Sequence, residues 1–306
     1  MTMTITMTIT ILLGAFFLDV VFGEPRQRLH PVVWVGILID RLSDWRFESV
    51  YGLPTLLVPL GVSVAVSVGV LTVSPSWLTA VLGAYLLTST FSLTEFVETA
   101  TEVTALTDDD IDEARYRLRA LAGRDASDLS PGEVRSAVVE SLSENFVDGF
   151  LAPVFYFGVF SLAGVEYGVG AAVGYRVINT ADSMVGYVSE GRAGYVSART
   201  DDVASFVPAR LSVVVLAVTT ASLKAVTSPL RQTDRVSSPN SGLPMSSLGA
   251  GLGVRLEKNQ HYVVGATDAD YPAVEDVEKG VRAVWLGGVV VVSLLSVSLV
   301  LGGVVL

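Results

Sequence analysis

The sequence predicts an all-α, polytopic membrane protein with about five membrane-embedded helices, in a range of roughly three to six. Charged residues make up 17% of the 306 residues, against about 25% in a typical soluble domain. Three long stretches contain no Asp, Glu, Lys or Arg, as membrane-crossing helices require. Between them, a Ser-Pro-Gly-Glu tetrapeptide is a helix-start signal. These observations favour a single integral membrane domain over residues 1–306.

The uncharged stretches account for four predicted crossings. Residues 1–18 are long enough for one helix. Residues 49–94 form a stretch of 46 residues, enough for two helices at roughly 20 residues per crossing. Ser74-Pro75-Ser76 marks the turn between them. The fourth stretch, residues 283–306, contains Trp285 at the position of an interfacial anchor.

Two further stretches are weaker candidates, because each contains a charge. Glu166 interrupts residues 149–175, and Lys224 interrupts residues 211–230. If both cross the membrane once, the arginine-rich segment 176–210 lies outside, against the positive-inside rule. The alternative is that both are kinked or re-entrant. The prolines that would permit kinks are Pro153, Pro208 and Pro229.

The polar segments that separate the apolar stretches carry several Lys or Arg each, and they are 19–48, 95–148 and 231–282. The N-terminal stretch and the 74–76 turn carry none, so the positive-inside rule places the polar segments in the cytoplasm. Asp108–Gly123 is predicted to be a helix. Ser130–Glu133 is a capping box with proline at the first helical position, and it predicts a helix that runs to about Asp148.

The composition excludes several function classes. The net charge of −11 opposes nucleic-acid binding. The absence of cysteine excludes zinc–thiolate sites, iron–sulfur clusters and a cysteine nucleophile, and two histidines are too few for a polyhistidine metal site. Only three of the twenty basic residues are lysine. This acidic, lysine-poor balance favours a high-salt cytoplasm of the kind found in a halophilic archaeon, and an acidic loop in an ordinary organism is the alternative.

Three acidic residues follow one another at helical spacing. Glu140, Glu144 and Asp148 lie at i, i+4 and i+8, so a regular helix places them on one face. Like charges at this spacing destabilise a helix unless their repulsion is offset, and a bound Mg²⁺ ion could offset it. An ordinary solvated acidic face is the alternative.

A second polar group lies in an otherwise apolar stretch. Arg176, Asn179 and Asp182 follow a spacing of three residues, again on one helical face. Polar groups near a membrane are costly without partners, which suggests a functional role. A helix-packing hydrogen-bond network is the alternative. Further along, Arg199 and Arg210 flank two adjacent acids, and a guanidinium matches phosphate and carboxylate geometry. An interfacial charge cluster is the alternative there.

Two more segments contain candidate residues. The loop Ser238–Met245 is rich in Ser, Asn and Gly, and its backbone N–H groups could cradle phosphate, although it lacks the Gly-Lys-Ser ending of a Walker loop. A plain loop followed by a small-residue helix is the alternative. His30, in a His-Pro pair, is a candidate acid or base. A structural role at a helix start is the alternative for His30.

Taken together, these segments form an ordered set of motifs that resembles the CbiB/CobD family over about residues 15–265. The motifs are Asp19–Pro25 with His30–Pro31, Gly123–Asp125, Glu140–Gly149 with Ala152–Pro153, Asn179–Tyr187, Asp201–Asp202 with Pro208–Arg210, and Ser238–Gly242 followed by Gly253–Glu257. The members of this family are adenosylcobinamide-phosphate synthases of cobalamin (vitamin B12) biosynthesis.

The resemblance implies an enzyme of the cell membrane whose active site faces the cytoplasm. It would condense adenosylcobyric acid with (R)-1-aminopropan-2-ol phosphate, or with ethanolamine phosphate, to give adenosylcobinamide phosphate. Because amide formation from a carboxylate is uphill in water, ATP as cosubstrate is implied, with an acyl phosphate as the simplest intermediate and Mg²⁺ on the phosphates. Other late cobalamin-pathway membrane enzymes are candidate partners.

On this hypothesis each motif residue takes a role. The metal ligands are Glu140, Glu144 and Asp148, with Asp182 as a further ligand. The residues for phosphate and substrate are Arg176, Asn179, Arg199, Arg210, Ser238, Asn240, Ser241, Gly242 and Arg255. The base for the attacking amine is Asp201 or Asp202, with His30 in reserve.

Two other function classes stay open at the level of sequence. Polar residues in membrane helices also line the paths of small-molecule transporters, but the inverted repeats that mark many transporters are not visible. A membrane scaffold for late cobalamin enzymes is the second alternative. The retained carboxylates and arginines argue against a scaffold, because a docking platform has no need for them.

Overall fold

A computed structural model describes residues 2–45, 52–119, 121, 126–186, 194–236, 238–258 and 261–305. Most of the described chain is helical, which confirms the predicted all-α class. The helices are α1 (Thr2–Phe22), α2 (Pro31–Ser43), α3 (Leu53–Val73), α4 (Ser76–Thr88), α5 (Leu93–Leu106), α6 (Ile111–Leu118), α7 (Pro131–Phe146), α8 (Ala152–Phe160), α9 (Val165–Val185), α10 (Tyr195–Ala204), α11 (Phe206–Thr219), α12 (Lys224–Thr227), α13 (Pro229–Gln232), α14 (Gly242–Leu252) and α15 (Val274–Val305). Strands β1 (Arg255–Lys258) and β2 (Tyr262–Gly265) form an antiparallel hairpin.

Several described helices are long and apolar enough to cross a membrane. They are Thr4–Phe22, Leu53–Val73, Ser76–Leu106 and Val274–Gly302. A fifth span results if α10 and α11, which Ser205 separates, form one broken span or a re-entrant segment. These spans confirm the crossings predicted from the uncharged stretches, and the predicted turn at Ser74–Pro75 separates α3 from α4.

The two weaker stretches do not form continuous crossings. Within 149–175 the chain turns between α8 and α9 at Gly164. The Glu166 side chain packs against this glycine. A Cβ atom on Gly164 would lie 2.7 Å from Oε1 of Glu166. Within 211–230, α11 ends at Thr219 and two short helices follow. The kinked alternative therefore describes both stretches better than a straight span.

Two helix predictions for the polar segments need correction. The capping box at Ser130–Glu133 opens α7 as predicted. However, the chain does not leave the helix near Asp148, because a π-helical turn at Val147–Leu151 carries it directly into α8. The predicted helix Asp108–Gly123 is shorter, since Asp110 caps α6 and the helix ends at Leu118.

The chain divides into two compact units. The first comprises Met1–Ser92, Ala152–Ser205 and Val292–Leu306, and the second comprises Leu93–Leu151 and Phe206–Val291. The prediction of a single membrane domain for the whole chain stays a prediction.

In the first unit, α9 is the helix against which α2, α3 and α8 pack. Small residues permit this close packing. A Cβ atom on Gly170 would lie 2.6 Å from the side chain of Val68, and one on Gly174 would lie 3.2 Å from that of Val64. The close approach of α3 fixes the position of α9, which carries the candidate residues of this unit.

In the second unit, α7 occupies the centre, and α5, α14 and β1 pack on it. Ten of its described residues are buried, although the helix also carries three glutamates. On the neighbouring α15, a Cβ atom on Gly287 would lie 2.9 Å from the ring of Phe146. The second set of candidate residues is therefore held by a densely packed helix.

Candidate functional site

The first polar group joins residues of α9 and α10. The Arg176 guanidinium donates from Nη1 to Asn179 Oδ1 at 3.3 Å, and Asn179 Nδ2 donates to Asp201 Oδ1 at 3.5 Å. Asp202 and Asp182 interact electrostatically in the same group. The structure thus brings together five of the residues predicted from sequence. The α9–α10 cluster denotes Arg176, Asn179, Asp182, Asp201 and Asp202.

Two members of this cluster, Asp182 and Arg176, carry a cost of burial. Burial raises the pKa of Asp182, and the negative charge of Asp202 raises it further. The Nε atom of Arg176 is buried and has no hydrogen-bond partner in the described structure. A buried donor without a partner is costly, so this Nε atom is a candidate contact for an acceptor on a ligand.

The break between α10 and α11 is held by two tyrosines that sequence reasoning missed. Tyr156 donates to the carbonyl oxygen of Ala204 at 2.9 Å, and the Tyr175 hydroxyl lies 3.0 Å from Ser205 Oγ. The two rings stack at a centroid distance of 5.4 Å. Ser205 Oγ also donates to Asp201 Oδ2 at 3.4 Å. The break therefore sets the position of the Asp201 carboxylate.

Arg199, the arginine of α10, is solvent-accessible. Arg199 Nη1 lies 3.4 Å from Asp202 Oδ2 in an i, i+3 pair, and its side chain is 65% exposed. Its guanidinium also lies over the Tyr195 ring. Because most of its surface faces solvent, Arg199 is free to contact an anionic ligand, and Asp202 orients it.

His30 caps a helix. Its Nδ1 accepts a hydrogen bond from the Val32 N–H at 3.3 Å, which makes it the N-cap of α2. Burial lowers the pKa of His30, and the positive charge of Arg176 lowers it further. The Glu24 carboxylate, 3.9 Å from Nε2, acts in the opposite direction and raises the pKa. The ring is therefore neutral near pH 7, and its basic nitrogen is engaged in the cap.

In the second unit, Glu140 lies at the centre of a hydrogen-bonded group. Its side chain is buried. One carboxylate oxygen accepts from Ser136 Oγ at 2.9 Å, and the other accepts from the Tyr262 hydroxyl at 2.8 Å. Ser136 Oγ in turn accepts from the Glu257 N–H at 2.9 Å. These contacts fasten the β-hairpin to α7.

The group continues on the outer side of the hairpin. Tyr271 donates to Glu257 Oε2 at 2.7 Å, and Arg255 forms an ion pair with the same carboxylate. Burial raises the pKa of Tyr271 to about 12, with the Glu257 hydrogen bond as the next cause. Arg255 is thus tied to Glu257. The Glu140 network denotes Ser136, Glu140, Glu257, Tyr262 and Tyr271.

Glu144 and Asp148 differ from Glu140, because both are only partly buried. Asp148 lies in the π-helical turn, so the regular i, i+4, i+8 alignment ends there. Among the described residues, no group of three or more His, Asp or Glu is close enough to hold a metal ion by itself. Mg²⁺ commonly uses one or two carboxylates together with waters and substrate phosphates, so the predicted role of Glu144 and Asp148 in binding Mg²⁺ stays a prediction.

The candidate phosphate loop is connected to α11. Arg210 donates from Nη1 to Asn240 Oδ1 at 3.2 Å and stacks on the Phe206 ring. Ser238 Oγ accepts from the N–H groups of Asn240 and Ser241 at 3.2 and 3.4 Å. Arg210 is exposed beside this loop, whereas Gly242 is buried at the start of α14. The structure therefore brings Arg210 and the loop together.

Comparison with known proteins identifies the family. The model of the family described as "CobD/Cbib protein" matches residues 12–286. The chain belongs to the CobD/CbiB family. Its relatives include "Probable cobalamin biosynthesis protein CobD" of Methanothrix thermoacetophila, which is 35% identical over 95% of this chain and 97% of the relative.

Bacterial CobD proteins are equally similar to the chain. "Cobalamin biosynthesis protein CobD" of Klebsiella pneumoniae is 35% identical over 94% of this chain and 95% of its own length, and the protein of that name from Dehalococcoides mccartyi is 35% identical over 83% and 86%. No solved structure matches. The comparisons confirm the predicted family. Two motif segments, Gly123–Asp125 and Tyr187, lie outside the described residues.

Proposed function

We propose that this CobD/CbiB family member condenses adenosylcobyric acid with (R)-1-aminopropan-2-ol phosphate, or with ethanolamine phosphate, to give adenosylcobinamide phosphate. ATP is the cosubstrate. The observation that carries the proposal is the α9–α10 cluster, in which a guanidinium with a buried donor that no described residue engages lies beside paired carboxylates. Anionic substrates and an amine nucleophile call for those two kinds of group.

In the proposed reaction, a carboxylate oxygen of the corrinoid attacks the γ-phosphorus of ATP, and ADP leaves. The amine nitrogen then attacks the acyl carbon, an amide bond forms, and phosphate leaves. The amine must first lose a proton. Asp201 is our candidate base, because its contacts with Asn179 and Ser205, at 3.5 and 3.4 Å, orient the carboxylate but are longer than the 2.8 and 2.9 Å hydrogen bonds that engage Glu140. Asp202 orients Arg199, and His30 stays in reserve because its Nδ1 caps α2.

The substrate phosphates need several donors. Arg176 offers its buried Nε, and the exposed guanidinium groups of Arg199 and Arg210 add charge. In the second unit the proposed contacts are Ser238, Asn240, Ser241, Gly242 and Arg255. Each guanidinium is already oriented by a neighbour, which lowers the entropy cost of binding.

For Mg²⁺ we propose Glu144 and Asp148 as ligands. The bound ion would neutralise charge on the nucleotide phosphates. The position of Glu140 favours a role in holding the β-hairpin, since both of its oxygens already accept hydrogen bonds. Asp182 belongs to the other unit, and a part for it in a metal site stays a prediction.

We further propose that the protein resides in the cell membrane with this chemistry on the cytoplasmic side. The distribution of Lys and Arg over the polar segments supports that orientation. Cytoplasmic ATP and corrinoid substrates are then accessible, and other membrane enzymes of the late pathway are candidate partners.

The test uses the purified full chain in detergent with ATP, Mg²⁺, adenosylcobyric acid and aminopropanol phosphate. Adenosylcobinamide phosphate and ADP are measured by mass spectrometry. We expect product from the wild type, none from Glu144→Gln, and normal turnover from Glu98→Gln, which removes an exposed glutamate on α5. Full activity of Glu144→Gln would refute the metal assignment, and a folded wild type without product would refute the proposed reaction.

A further inference from the structure

A separate cavity of about 590 Å³ lies in the first unit. It is formed by the start of α1, the α3–α4 turn, the α8–α9 turn and the end of α15. Glu166, at the start of α9, lines it, whereas Asp182 lies near the end of the same helix. At 1.5 Å per residue the two acids are about 24 Å apart along the helix axis. The cavity is therefore distinct from the α9–α10 cluster.

Most of the polar lining consists of hydroxyl groups whose protons are already used. Six of these hydroxyl groups donate to backbone carbonyl oxygens at 2.6 to 3.3 Å, and they belong to Thr8, Thr72, Ser74, Thr79, Ser161 and Ser298. A hydroxyl that donates to the backbone keeps its oxygen lone pairs for another partner. These hydroxyl oxygens can therefore accept hydrogen bonds from a ligand.

Charge in the cavity has one sign. Glu166 is the charged side chain among the described lining residues, and no Lys, Arg or His is present in that set. It is half-buried and lies in the first turn of α9, at the positive end of the helix dipole. A carboxylate together with acceptor hydroxyls favours a cationic donor and disfavours anions.

The cavity also has an apolar surface, to which Ile5, Met7, Leu71 and Leu299 contribute. Its volume falls within the range of about 300–1,000 Å³ that is typical of small-molecule sites, and a bare metal ion would leave most of it unfilled. We propose that this cavity binds a small amphipathic primary amine. Its ammonium group contacts the Glu166 carboxylate and the hydroxyls, and its hydrocarbon part contacts the apolar side chains.

A free amine and the headgroup of an aminophospholipid share this ammonium chemistry. The proposal does not depend on the proposed synthase activity, because the cavity contains none of the residues assigned to that reaction. Binding is measured directly, so failure of one proposal leaves the other intact.

The first experiment measures the apparent Tm of the full chain in detergent against increasing n-hexylammonium. Neutral 1-hexanol and anionic hexanoate are the matched probes. We expect hexylammonium alone to raise the Tm, and Glu166→Gln to weaken its apparent affinity at least about ten-fold through loss of the charge-assisted contact. The control is Glu275→Gln, because Glu275 is exposed and is the second residue of α15, as Glu166 is of α9.

A second pair of variants tests the cavity without changing charge. Ser298→Leu fills space in the cavity and should weaken hexylammonium binding, whereas Ser296→Leu, on the same helix but outside the lining, should not. Equal affinity in Glu166→Gln and wild type would overturn the proposal. Equal stabilisation by hexanol and hexylammonium would overturn it as well.

The source of the ammonium group is distinguished in lipid nanodiscs. If phosphatidylethanolamine, but not its N-trimethylated analogue phosphatidylcholine, raises the Tm and competes with hexylammonium, the cavity takes a lipid headgroup. If hexylammonium binds equally well in both lipids, it takes a free amine. Either result supports the proposal, and the absence of hexylammonium binding in detergent and in both lipids contradicts it.

Discussion

The Glu140 network and the α9–α10 cluster both place carboxylates inside a mostly apolar helical protein, but they treat these charges differently. Glu140 is enclosed by donors at 2.8 and 2.9 Å. In the α9–α10 cluster the contacts are longer, at 3.3 to 3.5 Å, and the buried Nε of Arg176 has no partner among the described residues. A fully hydrogen-bonded buried network stabilises and positions a structure, whereas a buried polar atom without a partner needs an explanation, and a ligand contact is the one we propose for Arg176.

The largest effect should follow from removing the proposed base. Asp201→Asn keeps the shape of the side chain but cannot accept a proton, so turnover should fall by about 10²–10⁴-fold. Its apparent Tm should stay close to that of wild type. The control is Asp40→Asn, an exposed aspartate of α2. Retained turnover in Asp201→Asn would reassign the base, with Asp202 as the next variant to test.

The next effect concerns stability in the Glu140 network. Tyr262→Phe removes the donor to a buried carboxylate and should lower the free energy of unfolding by about 1.5–3 kcal/mol. Thermal unfolding in detergent measures the change against Tyr116→Phe, a control in which the ring is 66% exposed. If Tyr262→Phe left the Tm unchanged but abolished turnover, Glu140 would belong to the reacting groups after all.

The His30 cap should give a smaller, pH-dependent effect. His30→Ala should cost about 1 kcal/mol, and His30→Asn, which keeps a cap acceptor, should cost less. The pKa of His30 is lowered in the folded protein, so the unfolded chain binds the proton more readily. Wild-type stability should therefore fall as the pH drops below about 6.5, and His30→Asn should lack this decrease. A pH-independent difference between wild type and His30→Asn would show that protonation of His30 is not involved.

The smallest effect is expected at Asp182. Its pKa is raised in the folded state by burial and by Asp202. This carboxyl therefore lowers stability as the pH rises through that pKa, and Asp182→Asn should stabilise the protein by about 0.5–1 kcal/mol near pH 7, as expected for a partly solvated charge pair. The gain should disappear at a pH below the ordinary aspartate range. Destabilisation by Asp182→Asn at pH 7 would mean that Asp182 has a cationic partner.

Elements that depend on neighbouring residues in the chain were predicted well. The uncharged stretches coincide with candidate spans because the cost of burying charge in lipid is a property of each stretch. The capping box at Ser130–Glu133 was also predictable, since its hydrogen bonds join residues three positions apart. The same holds for the contact between Arg176 and Asn179, which share one helical face.

Elements that depend on contacts between distant residues were not predicted from the sequence. The helix break at Ser205 and its contacts with Tyr156 and Tyr175 join positions that are 30 to 48 residues apart. The donors to Glu140 include Tyr262, which is 122 residues away. The spacing of the acids on α7 was visible in the sequence, but which of them is already satisfied was not.

The sequence by itself determined the helical membrane class, the main spans and the family, and it predicted candidate site residues. Those properties arise from local hydrophobicity, local hydrogen bonding and ordered motifs. The tertiary structure decided which charges are enclosed and which remain available, and it placed Glu166 in a cavity of acceptor groups. The physical reason is that burial and hydrogen-bond satisfaction are set by side chains that pack together from distant parts of the chain.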